Sequence, residues 1–333
     1  MSTNAMTHVP LTPAITRRVR AYFAPVNRTA GTPSIFDPAQ SGGFPLDAPP
    51  TPWLDLGWID KFKRKSGTKV AALRSGAPGF PLSQVRTEID SVVSLEFQSW
   101  GKLQMAVTAG SEQMNLLTTV SGAAPNGSGG PATGAVPVQS GSTATFLNLA
   151  AGQPASFTAG QMVVVDVDYT GQTGYIGSGV SGAYVNAAPA IQPDVNYVRR
   201  VSFNVARVTQ VTSAGLQLAQ PLLAGAPASG MQVQALVGFV DREGSNFFQE
   251  WSGLFVIPGE QGDRVLLHYP RLQIAASAGE VLDVLAAPLE PVSKLFQLSQ
   301  TADFRALPVT DANDGTQAVC FRSYIPAGFT NLW

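Results

Sequence analysis

Charge is what this sequence has least of. Asp, Glu, Lys and Arg together make up 13% of the 333 residues, against ~25% in an average soluble chain, while hydrophobic residues reach 44%. The formal net charge is only −1. A chain this poor in charge must solvate itself with Ser, Thr, Asn, Gln and backbone, or bury much of its surface against partners. The second route points to an oligomer. A single cysteine, Cys320, excludes an intramolecular disulfide framework and any cysteine-rich zinc site. No stretch approaches the ~18 uninterrupted apolar residues of a membrane helix. Met1 to Pro10 is polar and has no apolar core, so no secretory signal is expected and synthesis in the cytoplasm is.

What charge there is lies unevenly. Ten of the 21 Lys and Arg residues fall in the first 75 positions, including the cluster Lys61, Lys63, Arg64, Lys65, and none lies between Lys102 and Arg199. Three readings of the cluster stay open: a solvated loop face, contact with an acidic patch on a neighbouring subunit, or nucleic-acid binding. The near-neutral balance offers no broad electrostatic footprint for DNA.

Residues 1–52 are expected to form an extended N-terminal arm, because prolines recur from Pro10 to Pro50 too often for a long helix. Glu88 to Gln98 is the clearest strand, with Ile89, Ser91, Val93, Leu95 and Phe97 on one face. Trp100, Leu103, Ala106, Val107 and Ala109 then switch to helical spacing and predict a short helix ending near Gly110. Residues 121–144 are Gly, Ser and Ala-rich and free of charge, which reads as a linker. Short apolar strands with Gly-rich turns follow at Met162–Val167, within Val195–Val211, at Leu216–Leu218 and at Val233–Val240. They suggest a small barrel or sandwich over 145–238. The Pro-Gly-Glu-Gln-Gly turn at 258–262 joins Phe247–Ile257 to Arg264–Ile274 as a hairpin, and Val319, Phe321, Ser323 and Ile325 alternate in a final strand.

Catalytic patterns are scarce. There is no GxxxxGK[ST] loop, and the Gly-rich stretch at 127–134 follows no strand. His8 lies in the tail and His268 in an apolar strand, so a Ser-His-Asp triad would have to use His268, which reads more simply as a structural or interface residue. Asp166 and Asp168 stand two apart on one strand and share a face. They suit paired acids or a calcium site, but Val163, Val165 and Val167 fill the other face and the solvated side of a half-buried strand accounts for them; no DxDxDG loop accompanies them. Cys320 reads as a small buried thiol in a strand. The sequons Asn27-Arg28-Thr29 and Asn126-Gly127-Ser128 carry little without a secretory signal. No catalytic, cofactor-binding or metal-ligating set is expected, and the chain is read as a non-enzyme.

Several segments together resemble the phage major tail proteins, the tail tube subunits of long-tailed phages. They are Asp55-Leu56-Gly57-Trp58-Ile59-Asp60 before a basic, Gly-containing loop; the strand Arg86–Gln98 running into the helix Trp100–Ala109; the hairpin Trp251–Ile274 with His268-Tyr269-Pro270-Arg271-Leu272; and Phe304-Arg305-Ala306-Leu307-Pro308-Val309-Thr310-Asp311. The resemblance covers roughly 50–118 and 240–326 and rests on the order of elements. It implies a mainly β chain: a two-sheet β-sandwich with one flanking short helix, built discontinuously from 53–120 and 239–333, around a β domain inserted at 145–238. It further implies six subunits per ring and rings stacked into a virion tail tube that conducts DNA without binding it specifically. Its partners would be the chain itself, the tape measure protein and the tail terminator and tip proteins, with no membrane. Another virion role (head decoration or collar) and a carbohydrate- or surface-binding β module are the alternatives. An enzyme would need Asp166 and Asp168.

Overall fold

A computed structural model of the chain describes residues 18–26, 32–109, 112–117, 130–131, 135–166, 173–174, 204–223, 225–242, 250–260, 262–275, 279–282 and 298–327. The protein is mainly β, its strands laid in antiparallel, sandwich-like sheets. In chain order the strands are β1 (Val19–Pro25), β2 (Leu54–Ser75), β3 (Phe80–Phe97), β4 (Glu112–Leu117), β5 (Gly130–Pro131), β6 (Val136–Pro137) and β7 (Phe146–Asn148). Then come β8 (Met162–Asp166), β9 (Thr173–Gly174), β10 (Val205–Val211), β11 (Gly215–Leu218), β12 (Gln232–Arg242), β13 (Trp251–Pro258) and β14 (Arg264–Ile274). The last are β15 (Gly279–Leu282), β16 (Leu298–Ala306), β17 (Val309–Thr310), β18 (Gln317–Ala318) and β19 (Phe321–Ile325). Two α-helices are described, α1 (Pro38–Ser41) and α2 (Lys102–Ala109).

The chain divides into two units. The first holds Met1–Ala24, Pro33–Trp100 and Trp251–Trp333, and the second Pro25–Thr32 with Gly101–Glu250. The main sheet of the first unit runs in the order β15-β16-β3-β2-β1-β13-β14-β19, with β16 also pairing β14, and β17 and β18 form a separate two-stranded sheet. The six strands β16-β3-β2-β1-β13-β14 therefore return to their start, and closure removes most of the sheet's edges. Phe23 on β1 is the hub of the interior: its ring meets Phe97, Trp251, Phe255 and Phe304 at centroid distances of 6.3, 6.5, 5.7 and 5.6 Å. The outer face of β1, β13 and β14 is apolar too. Tyr22, Leu254, Val256 and Leu266 pack there against Phe36, Phe44 and Trp53 from the segment ahead of β2.

This placement differs from the expected arm. Residues 19–25 form an internal strand whose last five residues are buried. A strand covered on both faces has no polar alternation, so Ala21-Tyr22-Phe23-Ala24 carries no period-2 signal among the flanking prolines.

In the second unit, β12-β8-β10-β11-β7 form a continuous ladder; β6 pairs β12, and a bridge between Val138 and Leu149 links the ends. Val136, Leu147, Val163, Val165, Val208, Leu216 and Val233 fill this small closed sheet. Val164 is buried on the opposite face with Leu236. Helix α2 contacts β4 and β12 and falls in this unit, with the division at Trp100–Gly101. The sequence reading placed that helix, and everything to 120, with the strand before it.

Candidate assembly surface

The feature that leaves the body of the first unit is the hairpin of β2 and β3. Strand β1 accompanies β2 only from Leu54 to Ile59, and β16 accompanies β3 only from Phe97 to Ser91. Beyond those points, among the described residues, β2 and β3 pair only with each other, through Gly67↔Asp90 and Ala71↔Val85 to Ser75↔Phe80. At ~3.3 Å per residue the nine steps from Ser66 to Ser75 project roughly 30 Å. The basic cluster Lys61–Lys65, read from sequence as loop, thus lies inside a 22-residue strand.

Two irregularities set the ribbon's departure. Gly57 has φ +83° and its N–H donates to Asp55 Oδ1 at 2.9 Å, in a bulge that lets β1 and β2 keep pairing on both sides. Asp55 also holds the Arg20 guanidinium from β1, with Nε 3.1 Å from Oδ1 and Nη2 against Oδ2. At the ribbon's root the ladder shifts between Asp60 and Lys63, and Lys61 takes φ +50°, the left-handed region that costs a side-chain-bearing residue ~1 kcal/mol. Lys61 Nζ lies 2.6 Å from Glu96 Oε2, and this pairing holds the Glu96 carboxyl below its ordinary range. The neighbouring Phe62 packs against Phe255 with the rings tilted at 41° and 4.9 Å apart, while Arg64 Nε donates to Tyr269 Oη at 2.8 Å. Burial pushes the Tyr269 phenol up to about 12.

Past this root every residue from Thr68 to Asp90 is exposed. Directly paired residues share a face, so Ala71, Leu73, Val85 and Phe80 lie on one side, and Arg64, Val70, Arg74 and Arg86 on the other. Six of the eleven large hydrophobics exposed among the described residues belong to this hairpin: Val70, Leu73, Phe80, Leu82, Val85 and Ile89. Lys61–Asp90 carries seven basic and two acidic residues, net +5; the rest of the chain, with 14 basic and 20 acidic, is −6. Among the described residues the ribbon has no third strand and no covered face, and such a two-stranded ribbon is marginal in water. Here it also presents apolar side chains and free backbone edges, the features of a surface built to be covered.

The residues singled out by sequence lie elsewhere. His268 is buried on β14, its Nε2 3.3 Å from the Ser34 carbonyl oxygen, between an edge-on Trp53 ring at 5.6 Å and a stacked Phe321 ring at 5.9 Å. Burial pushes its pKa down to about 4. This ring fastens β14 to β19 and to the segment before α1. Cys320 precedes β19 and is half-buried, its thiol donating to the Phe321 carbonyl at 3.6 Å, and burial raises its pKa. It is therefore outside the strand in which it was expected. Asp166 ends β8. Asp168, His8 and both sequons lie outside the described residues. Among the described residues no cluster of three His, Cys, Asp or Glu side chains is arranged to hold a metal, and no helix is long and apolar enough to cross a membrane.

Sequence reasoning missed the ribbon although its signal is present. Gly76-Ala77-Pro78-Gly79 is a turn flanked by Val70-Ala71-Ala72-Leu73 and Phe80-Pro81-Leu82. The lysines and Gly67 ahead of it masked the strand. Neither a scan against protein-family models nor a search of the curated proteins finds a match for this chain.

Proposed function

We propose that this chain is a structural virion protein that assembles with copies of itself into stacked hexameric rings, forming a phage tail tube through which DNA is ejected. The observation that carries the reading is the β2–β3 ribbon: two free edges, two exposed faces, concentrated apolar side chains and a charge opposite to the rest of the molecule. A second copy supplies what the ribbon lacks. A ribbon at net +5 repels another ribbon and attracts a body at −6, so the contact joins unlike surfaces. Heterologous contacts of that kind close into rings or run on as filaments. The scarcity of surface charge, the closed sheet of the first unit and the order of elements shared with tail tube subunits support the same reading. The tape measure, terminator and tip proteins are the further partners it entails, with DNA passing through the lumen unbound and a role that is structural rather than catalytic.

Electron microscopy of the purified full-length chain over a concentration series tests it. Rings or stacked tubes with an open lumen are expected. Monomers that persist at high concentration, or closed cages, would count decisively against it.

A further inference from the structure

The outer edge of β19 is an open edge at one end of the first unit's eight-stranded sheet. β19 pairs β14 from Ile325↔Arg264 to Phe321↔His268, and among the described residues no strand lies on its other side. This edge is held firmly rather than frayed. Phe321 stacks on the buried His268 ring, and Ile325 packs against the Tyr22, Phe36 and Phe44 cluster. Its surroundings are acidic at both ends. The turn between β17 and β18, just ahead of it, carries exposed Asp314 beside Asp311; the β13–β14 turn at its far end carries Glu260 and Asp263, the latter facing the Tyr324 hydroxyl. Arg322 is the lone basic residue of the strand itself, and Arg264 beside it is committed to the backbone carbonyls of Gly42 and Phe44.

Resting on the self-assembly reading, we infer that the β19 edge of one copy receives the β2 edge of another copy's ribbon by strand addition. Three physical arguments converge. Each edge has an unpaired row of backbone N–H and C=O groups, and pairing them gives a main-chain ladder without remodelling either fold. The β2 side of the ribbon carries Lys63, Lys65, Lys69 and Arg74, which complement Glu260, Asp263, Asp311 and Asp314 in sign. Lys69 is balanced within the ribbon by Glu88 at 2.6 Å, which leaves Lys63, Lys65 and Arg74 to set the orientation. The donor and acceptor edges are also different parts of the same chain, so each copy keeps one of each available and the contact repeats from copy to copy.

Site-specific cross-linking tests this. In a Cys320→Ser background, Thr68→Cys places a thiol on the ribbon and Arg322→Cys one on β19, both at exposed positions. A short bismaleimide should give covalent heterodimers when the two single-cysteine chains are mixed, and a ladder of multimers when both substitutions share one chain. Lys69→Cys with Tyr324→Cys is the second pair, for use if the first disturbs folding. Self-cross-linking of the Thr68→Cys chain alone, at the yield of the mixture, would overturn the inference by showing ribbon against ribbon. So would the absence of mixed dimers from both pairs in samples whose assembly is visible by electron microscopy. If the parent chain does not assemble at all, the self-assembly reading itself fails, a result the microscopy reports separately.

Discussion

Replacing Phe80 and Leu82 by serine should dissociate the assembly and leave the monomer intact. These side chains are 65% and 67% exposed at the outer end of the ribbon, so neither contributes appreciably to the fold of the isolated chain. Fully burying a Phe or Leu side chain is worth ~1.5–3 kcal/mol, and about two-thirds of that remains to be gained here, or roughly 1–2 kcal/mol each. The pair then accounts for roughly 2–4 kcal/mol of each subunit contact, which weakens it by ~30-fold to several hundred-fold at 1.4 kcal/mol per decade. Sedimentation velocity over a concentration series measures the shift, and denaturant unfolding under monomeric conditions measures the fold. The expected result is a large loss of association with unfolding free energy unchanged within ~0.5 kcal/mol. Association as tight as that of the parent chain, or a monomer destabilised by more than ~2 kcal/mol, would refute the placement of the ribbon as an exposed docking element.

The interior behaves in the opposite way. Phe23→Ala removes the ring that meets Phe97, Trp251, Phe255 and Phe304 and should destabilise the first unit by ~3–5 kcal/mol in denaturant melts; a loss under ~1 kcal/mol contradicts the closed core. His268, whose pKa is depressed to about 4 by burial, favours the neutral ring in the folded state; its contribution is full above ~6.5 and disappears as pH falls toward 4. The drop attributable to this group is about 3 kcal/mol at 1.36 kcal/mol per pH unit. Stability of the parent and of His268→Gln, compared between pH 7 and pH 4, isolates it, and parallel curves would remove the assignment. In the second unit Gln234 is buried with neither amide atom hydrogen-bonded, so Gln234→Met should stabilise that unit by ~1–3 kcal/mol in thermal melts. A destabilisation of that size would show that the amide is satisfied after all.

Much of the fold was legible where one face of a strand is wet. Ser91, Val93, Leu95 and Phe97 alternate with half-buried neighbours as their period predicts, and the turn at 258–262 joins β13 to β14. Legibility failed where both faces share one environment. β1 is buried on both sides at Ala21–Pro25 and the ribbon is exposed on both sides beyond Gly67, so neither alternates, and their residues read as arm and loop. The helix signal at Leu103–Ala109 was clear, but periodicity does not say which sheet a helix covers, and α2 packs on β4 and β12. For the candidate site, the charge imbalance of Lys61–Lys65 was visible as a count. Its consequence appeared only when pairing placed those lysines at the root of a projecting apolar ribbon.

The most direct test of ribbon-driven assembly is to shorten the ribbon within the full chain. Replacing Thr68–Ile89 by Asn-Gly joins Gly67 to Asp90, which already face each other, through a two-residue hairpin turn. Sedimentation of the two chains at equal concentration should give large ring or tube species for the parent and a folded monomer for the shortened chain. A shortened chain that sediments in the same large species would contradict the account.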